Sequence, residues 1–214
     1  SLPIDEKEIS VRYFTLTLNN FTLTAMHHSA SSMEMAINQS AEILQALNST
    51  ENALLAGLND TAILLLDQLI NQSSHEIMML SSLLPYYQQV NDTLSAFLNK
   101  YENGQVQQED VEALREALNS LIPYTQGEEK ELWGVFLETL DTWDEHRQIG
   151  YDLLYEGNTT LMLCRSFVEN YQGVQMLKEN LENIKMMINN STTIETVSMI
   201  EIMKNMLSEQ MEDM

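Results

Sequence analysis

Apolar residues recur along this chain at three- and four-residue spacing, the period of one face of an α-helix. A first stripe, Ile9, Tyr13, Leu16 and Leu23 followed by Met26, Ala30, Met33, Ile37, Leu44 and Leu47, predicts a helix over residues 5–47. At 1.5 Å per residue it would be a rod of roughly 60 Å. The polar cluster Asn48-Ser49-Thr50 has the composition of a break. A second helix, residues 51–101, carries Leu54, Leu58, Leu65 and Leu69 and should bend at Pro85, whose missing amide and bulky ring disturb the hydrogen-bond ladder. Asn103-Gly104 ends it. A shorter helix over residues 107–121 is closed by Pro123.

Gly127 opens a fourth helix with Glu128 and Glu129 in its first turn, where carboxylates suit the positive end of the helix dipole. It carries Leu132, Phe136, Leu140, Trp143 and Leu153 inward and is expected to stop at Gly157. Asn158 or Thr159 then caps a fifth helix, reaching residue 188 through Val168, Tyr171, Leu177, Leu181 and Ile184. Thr192-Thr193-Ile194-Glu195 is a capping box, a Thr followed three residues later by a Glu, and it opens a last helix through Val197, Ile200, Met203 and Leu207. No segment alternates with period two, and no repeat of solenoid length is present. The expectation is all-α: an elongated antiparallel bundle of about six helices, read as a single domain over residues 1–214, with two stacked four-helix modules as its variant form. An even number of helices would return the chain to the end where it began.

Composition narrows the class. With 44% hydrophobic residues the 214-residue chain can bury a core, while 7 Gly and 3 Pro are too few for the turns of sandwiches, barrels or nucleotide-binding loops. No apolar run approaches the eighteen residues that would suggest a membrane span. Thirty-two acidic against ten basic side chains give a net charge of -22, which repels phosphate and excludes nucleic acid as a partner.

The asparagines point to a compartment. Asn20, Asn38, Asn48, Asn59, Asn71, Asn91, Asn158, Asn189 and Asn190 all begin N-x-Ser/Thr sequons, nine among 18 Asn where chance gives about three. Asn20 and Asn38 lie eighteen residues apart, five whole turns, so they share one azimuth about 120° from the apolar stripe. Asn59 and Asn71 flank the second helix's stripe. These positions are expected to face solvent as glycosylation sites. Cys164, the sole cysteine, can form no intrachain disulfide and falls in the apolar series Leu161, Cys164, Val168, Tyr171, which reads as a small core residue. Many sequons, few lysines and no disulfide suit an archaeal cell surface, with the chain as an excised ectodomain held to the membrane through flanking segments.

Chemistry is sparse. His27 and His28 are adjacent, about 100° apart on a helix, and cannot chelate one ion together. His75-Glu76 lacks a second His four residues on, and no Glu-x-x-His pair accompanies His146, so neither a metal nor a cofactor is expected. Glu138, Asp141, Asp144 and Glu145 read as a solvated face. No phosphate loop, nucleophile elbow or Cys/His pair is present, and the chain is not expected to be an enzyme. The distinctive group is Trp143, Arg147 and Tyr151, at i, i+4 and i+8 of one helix: an Arg between two rings can stack while its fork holds a carboxylate. Either Arg147 pairs with Asp144, or the three residues bind a small anionic ligand.

The long first helix, interrupted second helix and absence of disulfides or catalytic motifs resemble the helical-bundle extracytoplasmic sensor domains of chemoreceptors and sensor histidine kinases. Six helices with long members look like the helical bimodular variant. The resemblance implies a ligand-sensing domain on the extracellular face of the cell membrane, with a small-molecule ligand and a second copy of the chain as candidate partners. A glycosylated structural or adhesive surface protein is the alternative.

Overall fold

The computed structural model describes the backbone of residues 4–147 and 150–214, and side chains from residue 20 onward apart from 148 and 149. The expected inward positions Ile9, Tyr13 and Leu16, and Arg12, fall outside the described side chains. Six helices follow in order: α1 (Ile4–Leu55), α2 (Asn59–Glu102), α3 (Gln108–Leu121), a 3-10 turn (Ile122–Tyr124), α4 (Gly127–His146), α5 (Tyr151–Asn190) and α6 (Thr193–Glu212). Among the described residues there is no strand, and the all-α bundle is the fold.

Two breaks differ from the sequence expectation. α1 runs through Asn48-Ser49-Thr50, because the Ser49 hydroxyl donates to the Gln45 carbonyl (3.1 Å) and Thr50 to that of Ala46 (2.8 Å), satisfying both side chains inside the helix. The turn comes instead at Gly57, whose φ of +77° allows Leu58 N–H to close back on the Ala53 carbonyl at 2.8 Å. That shift sets the inward stripe of α2 to Ala62, Leu66 and Leu69 and leaves Leu58 exposed. The second displaced break lies between α4 and α5. α4 ends at His146, Arg147 adopts a left-handed conformation (φ 50°, ψ 37°), and Gly157 and Asn158 sit within α5. Pro85 lies inside α2.

Where cap chemistry is explicit, expectation and structure agree. Thr192 Oγ accepts from Glu195 N–H and Thr192 N–H donates to the Glu195 carboxylate, both at 3.2 Å, which fixes the start of α6. At the start of α3, Gln107 N–H donates to Asp110 Oδ2 at 2.8 Å.

The chain resolves into two units. The first, residues 1–30 and 83–168, packs α3 and α4 with the adjoining parts of α1, α2 and α5. Its core joins Leu94, Phe97, Leu114, Leu118, Trp133, Phe136, Leu140, Leu153 and Cys164, all essentially without solvent contact. The second, residues 31–82 and 169–214, is built from four helical segments of α1, α2, α5 and α6, with Leu47, Ala62, Leu66, Leu181, Ile184 and Ile200 at its centre. α6 therefore belongs to the second unit and the start of α1 to the first, so the last helix does not return to the unit where the chain begins. In α1 the side turned inward in the first unit is Phe21 with the half-buried Thr24, Ala25 and His28, whereas Leu23, Met26 and Met33 are exposed.

Candidate functional site

Trp143 and Arg147 meet, and Tyr151 does not join them. The guanidinium of Arg147 lies 4.5 Å from the centre of the Trp143 ring, a cation–π contact. Its Nη2 donates to Asp144 Oδ1 (2.9 Å) and to Gln108 Oε1 (2.8 Å), and its backbone N–H closes α4 on the Trp143 carbonyl. These ties hold a non-glycine residue in the left-handed region, which on its own costs roughly 1–2 kcal/mol. Trp143 is fixed in turn by edge contacts from Phe97 and Tyr101, with ring centres 5.9 and 5.5 Å away. Because α4 ends before Arg147, Tyr151 opens a different helix and is 74% exposed.

A cleft of about 500 Å³ is bordered by Tyr101, Glu102, Gly104, Val106, Trp143, Arg147 and Leu154. Its one cation is already committed. Asp144 also accepts from Arg115 (3.2 Å) and Gln108 (3.3 Å). Burial pushes the Asp144 carboxyl up, but the Gln108 hydrogen bond and the two guanidinium groups outweigh it and hold the group below the usual carboxylate range. An anion entering here would have to displace a low-pKa carboxylate from Arg147. The geometry is that of a helix-capping network.

A second polar feature lies deeper in the first unit. Glu156 on α5 is 1% exposed, and the Thr139 hydroxyl on α4 lies 3.0 and 2.9 Å from its two oxygens. That hydroxyl is also 3.0 Å from the Val135 carbonyl and has one proton to give. Burial, reinforced by Asp152 one turn earlier and opposed by the Thr139 hydrogen bond, pushes the Glu156 carboxyl up to about 8. Nearby, Glu129 Oε1 accepts from the Tyr87 hydroxyl (2.6 Å) and from the Trp133 indole (3.2 Å), while Tyr87 stacks on Phe167 at 3.9 Å. Burial first, and then Glu129, push the Tyr87 hydroxyl up. Cys164 is buried, and burial with the Glu129 charge raises its thiol to about 12.

The more ligand-like space is in the second unit. A cavity of about 260 Å³ opens among α1, α5 and α6, with Ile43, Val174, Leu177, Met203 and Leu207 on its apolar walls and the amides of Gln39, Asn170, Asn180 and Gln210 around it. A neighbouring cavity of about 320 Å³ between α1 and α2 shares Gln39, Ile43, Glu76 and Leu177 with the first. Nothing in the sequence pattern marked this place, because its walls bring together segments of α1, α2, α5 and α6 whose apolar members read simply as core.

Of the sequon asparagines, Asn20, Asn38, Asn48, Asn59, Asn71, Asn158, Asn189 and Asn190 are exposed. Asn91 is half-buried, its Oδ1 enclosed without a hydrogen-bond partner. Among the described residues, no group of three or more His, Cys, Asp or Glu is placed to hold a metal ion, and no helix is long and apolar enough to cross a membrane. No family model, curated protein or solved structure matches the chain.

Proposed function

We propose that the chain is an extracytoplasmic ligand-sensing domain of a membrane-anchored signalling receptor. The observation that carries the reading is the second-unit cavity, whose wall includes both α1 and α6, the first and last helices of the chain. A ligand touching both favours whichever relative position of the two gives it better contacts, and the energy available is its difference in affinity between those positions. Shifts of an ångström or two between packed helices suffice for switching in other proteins. The Trp143–Arg147 group is assigned no ligand here, since its guanidinium is held by Asp144 and Gln108.

The test is a distance measurement. With spin labels at Gln45→Cys on α1 and Asn205→Cys on α6, both exposed and outside the cavity walls, a ligand that raises the melting temperature should move or narrow the inter-label distance distribution. Organic acids, amino acids and methylated amines form the screening panel. A stabilising ligand that leaves the distribution unchanged, or a panel with no stabilising member together with a full gene that lacks a signalling module, would end the sensor reading.

The exposed sequons support an extracellular location and N-glycosylation in the native host. No Lys or Arg lies between Arg12 and Lys100, so trypsin would leave six sequons on one peptide. Cleavage at acidic residues separates them. Mass spectrometry of native-host protein should then find added hexose mass at Asn20, Asn38 and Asn71, and unmodified peptides across all three would remove the glycoprotein reading.

A further inference from the structure

Charge restricts what the second unit can bind. It contains fourteen acidic side chains, three lysines and no arginine. Each lysine is already paired: Lys178 with Glu182 at 3.8 Å, Lys185 with Asp67 at 2.6 Å, and Lys204 with Glu51 at 2.8 Å and Glu201 at 3.1 Å. No lysine lines either cavity. Placing an anion in these cavities would bring it beside uncompensated carboxylates with no cation to receive it, a like-charge arrangement that costs free energy at any dielectric. Glu76 is the reverse case. It lines both cavities where they adjoin, and among the described residues it enters no hydrogen bond or ion pair.

The walls add a second restriction. Val174, Leu177, Met203 and Leu207 form an apolar surface, and the methionine thioether is polarizable and flexible enough to close around irregular alkyl groups. Gly173 on α5 also lines the first of these cavities. Mid-helix glycine costs roughly 0.5–1 kcal/mol relative to alanine. Gly173 has no left-handed φ to justify it, and a Cβ built there would meet nothing within 4 Å, so neither backbone nor packing requires glycine. A side chain added there would extend into open space at the cavity's edge.

We propose that these adjoining cavities bind a small organic cation bearing an alkylated ammonium group, with the charge against Glu76 and the alkyl groups against the Val174, Leu177, Met203 and Leu207 surface. This deepens the ligand-sensing reading and rests on the same cavity. An inorganic cation fits poorly: Glu76 and Glu42 are the carboxylates that line these spaces, and among the described residues no group of three or more His, Cys, Asp or Glu is placed to supply the roughly six to eight oxygen ligands that calcium takes. The two spaces of about 260 and 320 Å³ are at the small end of ligand pockets, which suits a compact ligand.

Calorimetric titration of the whole chain tests this with three probes: choline, its uncharged carbon isostere 3,3-dimethylbutanol, and isovalerate as an anion of similar bulk. Choline should bind one per chain, at least tenfold more tightly than the isostere, and isovalerate should not bind. Glu76→Gln keeps the side-chain shape and should weaken choline at least tenfold without changing the isostere. Gly173→Leu should abolish binding of both by filling the cavity; Gly173→Ala, read alongside it, should weaken both less, and helical circular dichroism checks that each variant folds. Absence of choline binding, equal affinity for choline and the isostere, full affinity in Glu76→Gln, or undiminished affinity in a folded Gly173→Leu would each overturn the proposal. If choline binds as expected but the α1–α6 label distance does not respond, the cation site stands and the sensor reading falls.

Discussion

Glu156→Gln is expected to stabilise the protein above neutral pH while leaving it nearly unchanged near pH 5. The folded-state carboxyl titrates at about 8 against an ordinary 4.5, so between those values the folded chain holds a proton that the unfolded chain has lost. Stability from this group is therefore complete below about pH 4.5 and declines as pH rises through about 8. The full span corresponds to something on the order of 5 kcal/mol. Glutamine keeps the carbonyl that faces Thr139 but cannot ionise. In the wild type the protonated carboxyl can donate to the Thr139 oxygen while that hydroxyl's own proton goes to Val135; once ionised, the carboxylate competes for the same proton. For a chain of this length each kcal/mol moves the melting temperature by about 2–4 °C, so by pH 9 the variant should melt roughly 10 °C above the wild type. Melting curves taken from pH 5 to 9 decide the matter, and parallel curves would show that Glu156 does not titrate in that range.

Gly157→Leu should be strongly damaging. A Cβ at Gly157 would lie 2.9 Å from Leu98 Cδ2 and 3.4 Å from Phe136 Cε2, so α5 approaches α2 and α4 too closely there for a branched side chain. Overpacking a filled core costs about 1–3 kcal/mol and sometimes more. Gly157→Ala should cost much less, since the end of Leu98 can turn aside and alanine gains up to about 1 kcal/mol of helix propensity. Gly134→Leu, in α4 of the same unit with open space around its Cβ, is the matched control and should be neutral or stabilising. Urea denaturation gives the comparison; equal midpoints for Gly157→Leu and Gly134→Leu would rule out close packing as the reason for Gly157.

The same residue shows where the sequence was readable and where it was not. α3 and α6 begin within a residue of expectation because their starts are written in local cap chemistry, Gln107 with Asp110 and Thr192 with Glu195. Gly157 resembles a helix stop in sequence, yet its role is set by Leu98 and Phe136, which local pattern does not reveal. Conversely the true break begins at Arg147, a non-glycine residue held by Trp143, Asp144 and Gln108, one of them 39 residues away, and Gly150 falls at its end, where its N–H donates to the Tyr101 hydroxyl. The Asn48-Ser49-Thr50 cluster misleads in the other direction, since hydroxyls that favour turns can equally return to the preceding helical carbonyls. The pairing of Trp143 with Arg147 was legible from their four-residue spacing, whereas Tyr151 depended on a helix that ends first. The second-unit cavity needed three dimensions: Gly173 and Glu76 have no sequence signature, and the methionines that line it are spaced like any core stripe.

Cys164 has a practical consequence. A thiol buried in the core and raised to about 12 carries almost no thiolate at neutral pH and gives a maleimide or methanethiosulfonate reagent nothing to reach. The natural chain is thus already a silent background for cysteine chemistry. Reporters placed on α1 and α6 can be attached without first engineering the core, and any labelling seen in the unmodified folded protein becomes a direct clock for the opening of the first unit.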